Sequence, residues 1–338
     1  LIANTAPFRF TLALCCTVAM AMHVPAQEIA SAVPTDESQA AAPADVAPAF
    51  PNRRHALIIV GLPGDQIHRE RFDATVQIWR NWLVQIAAVD SADILVLDGR
   101  DATEDRLPAT QESIRSVAEQ LVERIGDDES LWVFWLGHGS QDRRHGWFHL
   151  PGPDMNAAQW AAMFAELKAG EQVFWMTHSA SGSFLKPFSL PGRIVISATD
   201  DGEINEPRFP HQLADVMTQQ LAASTNAEST AEPTADPTSP AKDPPVSVLD
   251  LFRRTADQVG RSFDEDQLLP TEHALLDDNG DGVGTEVAEL AKIDSQSIHN
   301  TAAQAVIDGL LAARTIITTP EPPPTPDDSA APAATQQP

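Results

Sequence analysis

Five short apolar runs recur along the chain, each bounded by glycine, proline or a polar residue: 55–62 (HALIIVGL), 92–99 (ADILVLDG), 131–139 (LWVFWLGHG), 172–179 (QVFWMTHS) and 193–200 (RIVISATD). Their apolar stretches are nearly unbroken and rich in branched and aromatic side chains, the pattern of strands buried on both faces of a parallel sheet. The intervening segments 71–88, 110–125, 157–167 and 207–223 carry apolar residues at three- and four-residue spacing, which predicts amphipathic helices. Two more helices are expected over 246–267 and 297–313. Strand and helix in alternation imply right-handed crossovers and an α/β sheet covered by helices on both faces. In such sheets ligands bind beyond the carboxyl ends of the strands.

The pattern lapses in four places. Residues 1–26 read as an export signal: Arg9 precedes an apolar run over 10–22, and Val24-Pro25-Ala26 offers small residues for cleavage after Ala26. That run is shorter than the roughly 20 residues a membrane-spanning helix needs, so no stable membrane span is expected after cleavage. Residues 27–52, 222–245 and 317–338 are Ala-, Pro-, Thr- and acid-rich, a composition that buries too little apolar surface to offset the entropy of ordering. They are expected as a disordered leader, a low-complexity insertion and a disordered Pro-rich tail around one domain over 53–316.

Charge and cysteine content narrow the function classes. A formal net charge of -26 repels phosphate backbones, so nucleic acid is not an expected partner. The 2 cysteines, Cys15 and Cys16, both lie in the export signal. The exported body, expected in a periplasmic or extracellular setting, therefore has no disulfide, thiolate ligand or thiol nucleophile.

Candidate chemistry gathers at two strand ends. After the third run comes Gly137-His138-Gly139-Ser140, where flanking glycines allow a sharp turn that presents the His138 imidazole and the Gly139 amide. After the fourth comes Thr177-His178-Ser179-Ala180-Ser181-Gly182-Ser183, with Ser179 where a nucleophile would stand and small neighbours leaving room for substrate. His178 is expected at the surface. Either motif alone reads equally well as a polar turn.

In this order on successive strands, His138-Gly139-Ser140 and Ser179-Ala180-Ser181-Gly182-Ser183 resemble the caspase/legumain clan of cysteine peptidases, closest to its legumain-like branch. That branch has H-G-S after one strand and a catalytic cysteine followed by x-S-G-S after the next; here serine holds the cysteine's place. The resemblance spans about residues 53–215 and implies a caspase-like three-layer αβα sandwich with a mostly parallel sheet. It implies Arg69, in HRERFD, as part of a specificity pocket, and Ser181 as a residue of the substrate side.

The exchange of sulfur for oxygen changes what the site can do. A thiol is partly ionised near neutral pH and attacks once a nearby cation lowers its pKa, whereas a serine needs a base in hydrogen-bond reach at the moment of attack. The first expectation is a pseudo-peptidase that keeps a peptide-binding cleft or scaffold role, with no required cofactor. The alternative is an active hydrolase with a Ser179–His138 dyad, the amides of Gly139 and Ser179 holding the oxyanion, and Asp200, Asp201 or Glu203 orienting the base. A third reading is an unrelated sheet domain with polar turns.

Two further features stand apart. Asp277, Asn279 and Asp281 alternate before Gly282, the oxygen pattern of a Ca²⁺ loop, yet the twelfth loop position is Ala288, so Glu286 or Glu289 would have to supply the last ligand. Without metal the same residues make a tight solvated turn. The 7 tryptophans are expected mostly in the core, with an apolar recognition surface near Trp135, Trp147 and Trp175 as the other reading.

Overall fold

The computed structural model describes residues 50–100, 106–230, 246–290, 293 and 306–318, all within one unit, Asp45–Pro338. The export signal, most of the leader, residues 231–245 and the tail from 319 lie outside the described residues. Strand β1 (Arg54–Val60) leads to helix α1 (Gln66–Gln85), β2 (Ile94–Asp98) and the short β3 (Leu107–Pro108). Helix α2 (Gln111–Arg124) returns the chain to β4 (Ser130–Leu136). A small antiparallel flap follows, made of β5 (Gly139–Gln141), β6 (Gly146–Phe148) and β7 (Met155–Asn156). Alternation resumes with α3 (Ala157–Met163), β8 (Glu171–Met176), α4 (Gly182–Phe188), β9 (Arg193–Ser197) and α5 (Phe209–Thr230). The chain closes with α6 (Val248–Glu265), β10 (Leu275–Asp277), β11 (Thr285–Glu286), α7 (Val287–Leu290) and α8 (Leu310–Arg314).

The eight-stranded main sheet has the order β11-β10-β9-β8-β4-β1-β2-β3. Strands β3, β2, β1, β4, β8 and β9 are parallel, while β10 and β11 close one edge antiparallel. All five apolar runs are strands of this sheet. Because side chains alternate across a strand, β1 supplies both faces. Ala56, Ile58 and Val60 pack with residues of α1, α5 and α6, including Trp79, Trp82, Leu213 and Phe252. Leu57 and Ile59 pack with residues of α2, α3 and α4, including Leu121, Trp160 and Phe184. The result is the three-layer αβα sandwich with a mostly parallel sheet that the pattern implied.

Domain limits shift by a few residues. Arg54, 3% exposed, donates to Glu171 and to the carbonyls of Ala87, Ile316 and Ile317, and it lies 4.2 Å over the Phe50 ring. Ile317 is itself in the core. The folded body thus includes Phe50 and Ile317, beyond the 53–316 read from composition, because one buried guanidinium clamps both ends to β1. Helix α5 also runs on to Thr230, past the expected start of the insertion at 222.

The order of strands places the site. The chain moves from β1 outward to β2 and β3, then crosses back to put β4 on the other side of β1. The carboxyl ends of β1 and β4 therefore flank the point where strand order reverses, where loops diverge and leave a crevice. No helix among the described residues is long and apolar enough to cross a membrane.

Candidate active site

The histidine motif stands at this point, and the serine motif ends the next strand of the sheet. His138 follows β4, and Ser179 follows β8, the strand paired with β4 in parallel register (Trp135↔Met176). The two turns touch through their backbones: a Cβ placed on Gly139 would stand 2.3 Å from the Ser179 carbonyl oxygen and 2.7 Å from that of Trp147. Only glycine allows this approach, so Gly139 sets how closely the histidine turn lies against the serine turn. Immediately after Ser179, Ala180 is fully buried with φ 59°, a left-handed conformation that costs a non-glycine residue on the order of 1–2 kcal/mol.

The imidazoles are committed elsewhere. The Nε2 of His138 lies 3.3 Å from the carbonyl oxygen of Pro63, on the loop after β1. His178 is fully buried rather than at the surface, with its ring edge-on to Phe148 at 5.0 Å and Phe184 at 4.6 Å. Its Nδ1 donates to the Ser179 carbonyl at 2.8 Å, and its Nε2 has no hydrogen-bond partner among the described residues. Burial lowers its pKa to about 4, so it is neutral at physiological pH and works as a brace inside the turn. The Ser179 side chain, in a residue only 3% exposed, makes no hydrogen bond among the described residues.

The acids considered as orienters make no hydrogen bond to His138 among the described residues. Glu203 holds His273 through both its backbone amide and its ring, Asp201 accepts from the Gln141 side chain, and Asp200 caps the Asp201 amide. Ser181, expected on the substrate side, is fully buried: its hydroxyl accepts from the amides of Ala198 and Thr199 and meets the Thr199 hydroxyl at 3.1 Å. It fastens the serine turn to the end of β9. Arg69 is exposed on the first turns of α1 and lines a groove of about 590 Å³ with Leu62, Pro63, Arg100, Pro108 and Pro151. Groove and His138 share the loop containing Pro63.

One neighbour of His138 escaped the sequence reading. The His68 ring packs edge-on to His138 with centroids 5.1 Å apart, and Phe72 packs against both. His68 Nδ1 meets Asp65 at 2.7 Å, and Nε2 meets Glu206 at 2.9 Å. A signal existed in Asp65, which reads as the N-cap of an acid-x-x-His turn, but Glu206 is 138 residues away and only the fold brings it there.

The Asp277 segment is built as a turn. Asp277 accepts from the amides of Gly280 and Gly282, Asn279 from that of Asp281, and Asp281 from that of Val283. Glu286 sits on β11 opposite Leu275. No group of three or more His, Cys, Asp or Glu side chains among the described residues is arranged to hold a metal ion. The Asp277, Asn279 and Asp281 oxygens thus accept from backbone amides within a tight turn. Of the tryptophans, Trp135 and Trp175 are fully buried and belong to the aromatic core, which removes them from the expected recognition surface; Trp147 is half-buried on the flap.

No protein-family model matches the chain, and no curated protein matches its sequence. Among solved structures, the chain is similar to caspase-1 from Spodoptera frugiperda, at 12% identity over 63% of this chain and 79% of that one, with a TM-score of 0.38. It is similar to a protein from Geobacter sulfurreducens at 12% identity over 67% of this chain and 92% of that one, with a TM-score of 0.40.

Proposed function

We propose that this chain is an exported pseudo-peptidase of the caspase/legumain type, in which the crevice between the His138 and Ser179 turns binds an extended peptide without cleaving it. The order of the two motifs on paired strands and the close approach of their turns at the carboxyl ends of those strands support the type. The observation that carries the loss of chemistry is the isolation of the Ser179 hydroxyl. It has no imidazole bonded to it, since His138 is turned to Pro63 and His178 is locked to the Ser179 carbonyl. A serine without a base at hand is a poor nucleophile. Binding needs less: an extended peptide can use backbone pairing and a pocket for one side chain, and the groove beside Arg69 suits an anionic one.

The test uses protein recovered from the exported fraction, whose first residue is expected to be Gln27. Binding of a library of fluorescent acidic and neutral peptides is measured by polarisation for the wild type, Arg69→Ala and Ser179→Ala. The proposal expects binding that Ser179→Ala leaves unchanged and Arg69→Ala weakens about tenfold, the loss of one charge-assisted hydrogen bond. Equal affinity in all three proteins, or no binding by any, would remove the cleft from the account.

A second reading, the Ser179–His138 hydrolase, is favoured by one feature. The strained Ala180 backbone directly after Ser179 is the kind of local cost that persists at working nucleophile turns. That reading requires His138 to leave Pro63 and reach the hydroxyl, and it expects a covalent adduct with a serine-reactive probe.

A further inference from the structure

The His68 ring has a carboxylate on each nitrogen, Asp65 at 2.7 Å and Glu206 at 2.9 Å. A carboxylate at this distance only accepts, and a neutral imidazole has one N–H to give, so both contacts are made together only by the doubly protonated ring. The two acids belong to different parts of the fold. Asp65 is the N-cap of α1 and also accepts from the His68 amide at 2.9 Å, whereas Glu206 belongs to the segment between β9 and α5.

That segment is pinned at both ends and hangs from His68 in the middle. At one end Glu203 is held by His273; at the other, Glu272 accepts from the amides of Arg208 and Phe209. Between them, Ile204 is 60% exposed, and Glu206 is joined to α1 by His68, with Arg71 standing off at 3.6 Å. We infer that His68 is a proton-controlled latch: as the imidazolium it ties the 204–207 segment to α1 beside His138 and narrows the crevice, and on losing its proton it releases that segment. The inference goes beyond peptide binding and does not depend on it, because it rests on the crevice walls alone.

The charged groups facing the latch agree on its direction. Asp65 and Glu206 both raise the His68 pKa above its ordinary value, and on the facing helix α5 His211 is held neutral by burial, its pKa lowered to about 4, while it contacts Thr75. Arg71 lies beyond Glu206, and the half-buried His138 presents its ring to His68. When the proton leaves, the released partner is Glu206. Asp65 keeps the backbone amide of His68, while Glu206 keeps only the longer contact with Arg71. The nearby His273–Glu203 pair behaves differently, since a ring with a single acid partner can keep its one N–H on that acid when neutral.

Side-chain and backbone ¹⁵N NMR of the full chain from pH 5 to 9 tests the latch. The expected result is a His68 ring protonated on both nitrogens at pH 6, a midpoint above that of an ordinary histidine, and amides of Ile204, Asn205 and Glu206 that shift with the same midpoint. In Glu206→Gln the His68 midpoint should fall, and the three amides should no longer follow it. A His68 ring already neutral at pH 6 would overturn the inference. So would amides that ignore the His68 titration in the wild type, or that follow it unchanged in Glu206→Gln. Loss of peptide affinity bears on the proposed function and leaves these resonances as they are, so the two can fail separately.

Discussion

At Gly139 a single hydrogen in place of a methyl group decides whether two turns can meet. A methyl group there would lie 2.3 Å from the Ser179 carbonyl oxygen and 2.9 Å from His178 Nδ1, two atoms already hydrogen-bonded to each other, so neither can retreat cheaply. Gly139→Ala is expected to cost on the order of 1–3 kcal/mol in denaturant unfolding, the usual penalty for overpacking; a cost below about 0.5 kcal/mol would mean that the turns are not in contact in solution. His178 shows why such detail is hard to read in advance. Its neighbours in sequence are small and polar, which suggests a solvated turn, but Phe148 of the flap and Phe184 of α4 both pack edge-on against it. Ser181 was misplaced for the same reason: its serine-rich context suggests a cleft, and only the fold shows Ala198 and Thr199 taking its hydroxyl.

At the scale of elements, legibility followed length and apolar density. The five central strands were visible because runs such as Leu131–Trp135 are too apolar for anything but a two-sided burial, and 3–6 residues of that kind suffice to define each. Strands β5, β6, β7, β10 and β11 were missed: they are two or three residues long, and their sequences, such as Gly-Ser-Gln, have no period to detect. Helix α4 was missed because it opens on Gly182 and contains Pro187, two residues that argue against a helix when read locally. The order of motifs was in the sequence, yet their opposition across β4 and β8 was an inference from topology. The bend at Asp277 was visible in its alternating oxygens and Gly282, but the burial of Asp277 and Asp278 was not, because it depends on elements that only the fold brings together.

The whole molecule carries an acidic charge that its buried groups sharpen into a pH dependence. Burial raises the pKa of Glu272 and of Asp278 to about 7, against amides at the starts of α5 and α8 that work the other way. Unfolded, these acids titrate near 4, so between about pH 4 and 7 the folded chain binds more protons and loses stability as pH rises. His68 and His273, raised by their acid partners, lose their contribution as pH climbs through their folded pKa values. Buried His178 and His211, lowered to about 4, act in the opposite sense up to about pH 7.5, the range over which unfolded histidine still binds protons. Two buried carboxyls and two acid-paired imidazoles outweigh these two histidines between pH 6 and 8, and self-repulsion from a net charge of -26 adds to the loss. Chemical denaturation should therefore find the protein more stable at pH 6 than at pH 8, by on the order of 1 kcal/mol; equal or greater stability at pH 8 would mean that Glu272 and Asp278 are ionised at ordinary values.

The Ser179 hydroxyl makes no hydrogen bond among the described residues, and the imidazoles of His138 and His178 are both engaged with carbonyl oxygens. Intact-mass spectrometry of the full chain after incubation with a fluorophosphonate, alongside Ser179→Ala, reads its reactivity directly. The account predicts no added mass on either protein from pH 6 to 8. An adduct on the wild type that is absent from Ser179→Ala would contradict it and establish a working serine nucleophile.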